Sequence, residues 1–146
     1  MSLPDCLKEY VGNWIVSPRD EVFGTGPQKY LLSRMNDKDQ YVEIRFESGT
    51  ALRLHYWRFK KVVDILSEAN GKYVMVGSRI NPDDETTIEG LLVKEALMRG
   101  YRYAKLRTAA FVCDLIVLCG YAQYGYTQNP ETSRRVQGIK WTKRPQ

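Results

Sequence analysis

The chain reads as an α+β protein: an N-terminal antiparallel sheet with a packed helix, followed by a C-terminal part of two helices and a β-hairpin. Three observations predict this. Apolar and polar residues alternate with period 2 through residues 41–56. From Trp57 the period becomes helical. The stretch from Cys119 to Lys143 then sets two aromatic-rich runs around a polar tip. With 146 residues the chain has the size of one domain and can bury a core without staples. The division falls at 1–80 and 81–146, and the two parts can share one core.

Asp5 to Trp14 is expected as a short amphipathic helix, with Leu7, Tyr10, Val11 and Trp14 at helical spacing. Ser17 to Asp20 reads as a turn, and Phe23 to Pro27 as a second break. The second break is not a phosphate loop: Pro27 and Gln28 follow Gly26 where a Lys-Ser or Lys-Thr pair would be needed. Lys29 to Met35 and Tyr41 to Glu47 are strands around a polar turn, Asn36 to Gln40. In the second of them Val42, Ile44 and Phe46 face inward, while Tyr41, Glu43 and Arg45 face water. Ala51 to Tyr56 is a third strand, with Arg53 and His55 outward. If these strands pair in order, Arg34, Arg45, Arg53 and His55 share a wet face, partly offset by Glu43 and Glu47.

A helix follows, with Phe59, Val62, Val63, Leu66 and Ala69 as its stripe and Asn70-Gly71 as its end. Lys72 to Gly77 reads as a short strand. Asn81 to Glu85 opens the next helix, because proline and acids suit a helix start, and Gly100 stops it. The last helix runs from about Thr108, a candidate N-cap, to about Cys119. Its longest apolar run, Ala109 to Val117, is broken by Asp114 and falls well short of the roughly 18 residues of a membrane span.

Hydrophobic and charged fractions of 43% and 27% are ordinary for a globular protein. No apolar core follows a basic start at the N-terminus, so no signal peptide is expected. Cys6, Cys113 and Cys119 are odd in number and far apart, and two sit in apolar surroundings. They read as buried free thiols, which points to a reducing cytoplasm. The net charge of +5 is unevenly spread. Residues 99–146 hold nine Lys and Arg against two acids, whereas residues 1–98 hold thirteen against fifteen. A basic end on a slightly acidic body suits a polyanionic partner.

Residues 82–143 run helix, basic connector, apolar helix, glycine, aromatic strand, polar tip, strand. This order resembles a winged-helix domain. The resemblance implies an exit from the last helix at Cys119-Gly120, a first wing strand through Tyr124, a tip over Thr127 to Ser133, and a returning strand over Arg134 to Thr142. In such DNA binders a recognition helix reads base edges with Arg, Asn, Gln or Ser. The matching segment here, Thr108 to Cys119, has no Arg, Lys, Asn or Gln. Contact is therefore expected elsewhere. Arg99, Arg102, Lys105 and Arg107 in the connector, and Arg134, Arg135, Lys140 and Lys143 on the wing, would neutralise phosphates without reading sequence. Tyr124 and Tyr126 are candidates for stacking on unpaired bases, although hairpin tyrosines also pair across strands and cover cores.

Catalytic signatures are sparse. One histidine, His55, removes zinc sites built on two, and no Cys-x-x-C pair replaces them. No nucleophile-elbow pattern brackets a serine. Asp83, Asp84 and Glu89 belong to the dense acidic cluster, which suits a helix start or, alternatively, magnesium in a small nuclease. The expectation is a non-catalytic nucleic-acid-binding protein, DNA or RNA, with no cofactor and no membrane. The alternative is a protein–protein adaptor or homo-oligomeric subunit that uses the Tyr-rich hairpin as its interface.

Overall fold

The computed structural model describes residues 2–77, 83–104 and 106–142. The chain is an α+β protein. Its elements run α1 (Leu3–Lys8), β1 (Trp14–Val16), α2 (Arg19–Phe23), β2 (Lys29–Asn36), β3 (Tyr41–Phe46), β4 (Ala51–His55), α3 (Tyr56–Glu68), β5 (Val74–Met75), α4 (Ile88–Met98), α5 (Ala109–Leu118), β6 (Ala122–Gln128) and β7 (Arg135–Trp141). None of the described helices is long and apolar enough to cross a membrane.

The first sheet is an antiparallel meander in the order β1-β2-β3-β4. Ile15, Tyr30, Leu32, Val42, Ile44 and Leu54 point inward and are buried. Strict alternation from Tyr30 and Leu32 would turn Arg34 inward as well. It does not, because the register shifts between Leu32 and Arg34. Leu32 opposes Ile44 and Arg34 opposes Glu43, so Ser33 is the extra residue of a β-bulge. The bulge re-aims Arg34 to the outer face and returns Met35 to the inner one, opposite Val42.

Two expectations at the N-terminus are corrected. The helix ends at Lys8 and does not reach Trp14. From Gly12 onward the backbone bonds to β2 instead: the Gly12 N–H donates to the Leu32 carbonyl (2.8 Å) and the Leu32 N–H to the Asn13 carbonyl (3.1 Å). Trp14 thereby becomes a strand residue with half its surface exposed. The turn expected at Ser17–Asp20 runs into a one-turn helix, α2, closed by Gly24 in the left-handed region (φ 64°).

The second sheet has the order β5-β7-β6. Gly125 and Gly138 stand directly opposite each other in its hairpin. The Tyr73 ring lies across this pair: a Cβ on Gly125 would fall 2.4 Å from its hydroxyl oxygen. Gln123 donates to that hydroxyl (3.1 Å), and the Lys140 ammonium lies 5.0 Å from the ring centre. The aromatic ring supplies the packing that the glycines lack. Gly125→Ala is therefore expected to cost about 1–3 kcal/mol through overpacking, although alanine is otherwise tolerated in strands. Combining it with Tyr73→Ala should cost less than the sum of the single changes in urea unfolding; simple additivity would refute the contact.

Helices α3, α4 and α5 pack against one another, and α3 and α5 also meet the second sheet. Phe59, Val62 and Leu66 of α3, Ile88 and Leu92 of α4, and Val112, Leu115 and Ile116 of α5 are buried. One hydrophobic cluster joins them to Leu7, Ile15, Ile44 and Ile139, so both parts of the chain draw on it. Thr87 caps α4, accepting from the Gly90 N–H (3.0 Å). Gly90 itself must be glycine, since a Cβ there would lie 1.9 Å from the Asp84 carbonyl oxygen.

The free-thiol expectation holds for Cys113 alone, which is buried. Cys6 and Cys119 form a disulfide that ties α1 to the end of α5 across 113 residues of sequence. With two of the three cysteines bonded, the cysteines no longer point to a reducing compartment. A cross-link closing so long a loop restricts the unfolded chain and typically contributes about 2–4 kcal/mol. Reductant, or Cys6→Ser with Cys119→Ser, is expected to lower the urea midpoint accordingly. Alkylation of the unfolded, unreduced protein should label one cysteine; three labels would show that the bond is absent.

Candidate nucleic-acid interface

The outer face of the first sheet follows from its register. Val16 opposes Lys29, Trp14 opposes Leu31, and Leu31 opposes Arg45. Glu43 stands between Arg34 on β2 and Arg53 on β4. Tyr41 stands between Asn36 and His55. Four cations, Lys29, Arg34, Arg45 and Arg53, thus share one face with a single carboxylate from the same strands. Each arginine keeps about half its side chain exposed.

Glu43 sits beneath them, 8% exposed. Its carboxylate accepts from Ser33 Oγ (2.8 Å) and from Arg45 (3.3 Å), with Arg34 and Arg53 at 3.8 and 4.0 Å. The Ser33 hydrogen bond, then the Arg34 and Arg45 charges, hold it below the usual carboxylate range against the opposing effect of burial. One anion among three guanidiniums leaves the group cationic. The buried carboxylate orients the arginines and only partly discharges them.

Aromatic rings carry this face onward. The Arg53 guanidinium lies 4.6 Å from the Tyr41 ring centre and Arg34 lies 5.5 Å from it, with Arg34 also bonded to the Tyr41 hydroxyl. Tyr41 meets His55 (5.9 Å), His55 meets Tyr101 (5.6 Å), and Tyr101 meets Trp57 (5.6 Å). Trp57 Nε1 donates to the Tyr101 hydroxyl (2.8 Å). Arg58 and Arg99 then lie 4.5 and 4.7 Å from the Trp57 ring centre. Burial, then the Arg58 and Arg53 charges, push His55 below its ordinary range. At neutral pH it therefore contributes an uncharged ring between cations. At the far edge Trp14 is exposed, with the Lys29 ammonium 5.6 Å from its ring centre.

The sequence-derived set does not form one cluster of mutual contacts. Arg99 pairs with Glu95 (2.9 Å) and stacks on Trp57, so it continues the face of the first sheet. Arg102 is exposed beside Tyr103 (5.6 Å). Arg107 is exposed and acts on Glu89. Arg134 and Arg135 are exposed at the hairpin tip, with Arg135 stacked 4.1 Å from the Tyr126 ring centre. Lys140 is spent on Tyr73. Lys105 and Lys143 lie outside the described residues. Tyr126 is 40% exposed and also packs on Phe23 (5.1 Å).

Tyr124 is a correction: it is buried, and its ring is closed to any base. It shares the inward parity of Ala122, and its hydroxyl donates to Asp114 (2.6 Å). The same carboxylate accepts from Tyr30 (3.0 Å) and, at both oxygens, from Arg19 (3.0 and 3.1 Å). Asp114 is fully buried and fully partnered, so this network ties α2, β2, α5 and β6 together.

The acidic candidates and the cysteines fare differently from the cations. Glu89 turns inward, where burial raises its carboxyl against the pull of the Ala109 and Thr108 backbone N–H groups. Asp84 accepts from Thr86, and the described residues contain no group of three side chains able to hold a metal. Thr108 occupies the N-cap position of α5, yet its hydroxyl accepts from buried Arg58 (3.0 Å) rather than capping the helix. Cys6 and Cys119 are bonded to each other, and burial pushes the Cys113 thiol far up, so none offers a thiolate to His55. No family model matches the chain, and neither a curated protein nor a solved structure matches it.

Proposed function

We propose that the chain is a non-catalytic nucleic-acid-binding protein that holds the phosphate backbone with little regard to sequence. The observation that supports this best is the outer face of the first sheet. It sets Lys29, Arg34, Arg45 and Arg53 around one buried carboxylate and continues through rings to Arg99. Exposed arginines neutralise phosphates, and exposed Trp14 beside Lys29 offers a ring to an unpaired base, whereas Tyr41 beneath Arg34 and Arg53 is buried. Exposed Arg102, Arg134 and Arg135 add separate cations on the connector and the hairpin tip.

Fluorescence anisotropy with labelled single-stranded and duplex oligonucleotides of several sequences tests this. Affinity is expected to fall steeply and log-linearly from low to moderate salt, by the same slope for every sequence. Arg134→Glu with Arg135→Glu should weaken all of them alike. No binding at about 50 mM salt, or binding that ignores salt, would refute the reading.

A second reading, a protein adaptor or self-associating subunit, draws support from one patch. Leu97, Met98, Tyr103 and Leu106 are 47–74% exposed around the end of α4. Apolar residues left exposed together mark partner surfaces. Concentration-dependent self-association that is insensitive to salt, without oligonucleotide binding, would favour it.

A further inference from the structure

A cavity of about 500 Å³ opens between α1, α3 and the end of β2. It stands apart from the nucleic-acid reading and shares only Trp57 and Arg99 with that face. The volume lies within the roughly 300–1,000 Å³ of small-molecule sites. Leu3, Pro4 and Leu7 of α1 form one wall, and Phe59 and Val63 of α3 form another, with Met35 between them. The disulfide at Cys6 fixes the α1 wall in place.

The polar groups are few and of one sign. Among the described residues, Lys60 and Arg99 are the charged ones lining the cavity, with no carboxylate beside them in its lining. Both are anchored from outside: Arg99 Nε gives one hydrogen bond to Glu95 (2.9 Å), and Lys60 pairs with Asp64 (3.4 Å). A guanidinium has five N–H donors and an ammonium three, so each cation retains capacity beyond its carboxylate. Gln40 is the remaining amide, while the Tyr56 hydroxyl is given to Asp37 (2.7 Å). An apolar body needs no hydrogen bonds from such walls, and an anionic head would find two cations.

We propose that this cavity binds a small amphipathic anion, an aliphatic or aromatic body with a single carboxylate head. The body lies against Leu7, Phe59 and Val63, and the head lies at Lys60 and Arg99. Selectivity comes from the head, since the walls would accept many apolar shapes. A neutral head on the same body makes weaker use of the donors that the two cations retain beyond Glu95 and Asp64, and a cationic head is repelled by them.

Trp57 lines the cavity, whereas Trp14 and Trp141 do not, so fluorescence reports on occupancy. The probes are 11-bromoundecanoate as a quencher, and dodecanoate, dodecanol and dodecyltrimethylammonium as competitors, all below micelle-forming concentrations. Quenching should saturate at one equivalent and disappear in Trp57→Phe. Dodecanoate should compete at least tenfold better than the other two. Val63→Phe, which fills the space, should abolish binding, and Lys60→Gln with Arg99→Gln should weaken it at least fivefold. The double glutamine variant lies at the surface, so it tests the head even if Val63→Phe fails to fold. Equal competition by all three head groups would overturn the proposal. So would quenching that survives Trp57→Phe, or affinity unchanged in the glutamine variant.

Discussion

Asp114→Ala is expected to lower the melting temperature by roughly 10 °C or more, the largest effect of any single substitution considered. Removing this carboxylate strands three partners at once. Arg19, with 16% of its side chain exposed, keeps its charge without a counterion. Tyr30 and Tyr124, both buried, lose their acceptor. Breaking a buried charge pair from one side costs about 3–5 kcal/mol, because the abandoned ion has left water without compensation. At this chain length each kcal/mol moves the midpoint by roughly 3 °C. Asp114→Asn retains the shape and one acceptor and should cost less. Arg19→Met added to Asp114→Leu should recover the part of the loss that comes from the stranded charge, while Tyr30 and Tyr124 still lack their acceptor. An Asp114→Ala protein that melts within about 2 °C of the parent would show that the network carries little stability.

The same network has an alkaline signature. Burial, then the neighbouring Asp114, raises the Tyr30 hydroxyl well above its ordinary value. Tyr124 is raised likewise, chiefly by burial. The folded state therefore favours the neutral phenols more than the unfolded chain does. That stability is fully present below the unfolded tyrosine pKa of about 10 and is lost as pH climbs towards the folded values. Urea midpoints should hold up to about pH 10 and fall above it, with the fall smaller in Tyr30→Phe.

Local pattern made part of this fold legible. Alternation in residues 41–56 separates the two rows of β3 and β4, although Tyr41 and Glu43, expected to face water, are buried beneath the arginines, and the stripe Phe59-Val62-Leu66 sets the buried side of α3. The inward parity of Tyr124 was also open to reading, because it follows Ala122 by two residues. What stayed hidden depends on distant partners. Nothing near Trp14 signals that residues 12–16 will bond to β2 rather than continue a helix. Asp114 reads as an interruption until Arg19, 95 residues away, is brought against it. The Cys6–Cys119 bond spans still more of the chain. Arg34 is a subtler case. Its expected outward position is met, but through one inserted residue, Ser33, which shifts the alternation by one and which no turn signal announces. The tally of charge along the chain favoured the C-terminal third, whereas strand pairing gathers the best-connected cations from its first half.

That difference is open to a direct test with the second large effect. Arg34→Gln, Arg45→Gln and Arg53→Gln together should weaken oligonucleotide binding on the order of a hundredfold at low salt. If all three contact phosphates, the log–log salt slope should fall by about 2 for a single strand, at roughly 0.7 per contact. Glutamine keeps a hydrogen-bonding head at each position without adding acid beside Glu43. The converse change is Glu43→Gln. It removes the one anion of the face while keeping an acceptor for Ser33, so affinity should rise several-fold where the triple variant falls. A surface whose role is only to stabilise the sheet would lose stability in both variants and change affinity in neither. If Arg134→Gln with Arg135→Gln abolishes binding and the triple variant leaves it intact, the hairpin is the contact and the sheet is not. Opposite signs from the triple variant and from Glu43→Gln, at adjoining positions of neighbouring strands, are what a polyanion sensing the charge between them produces.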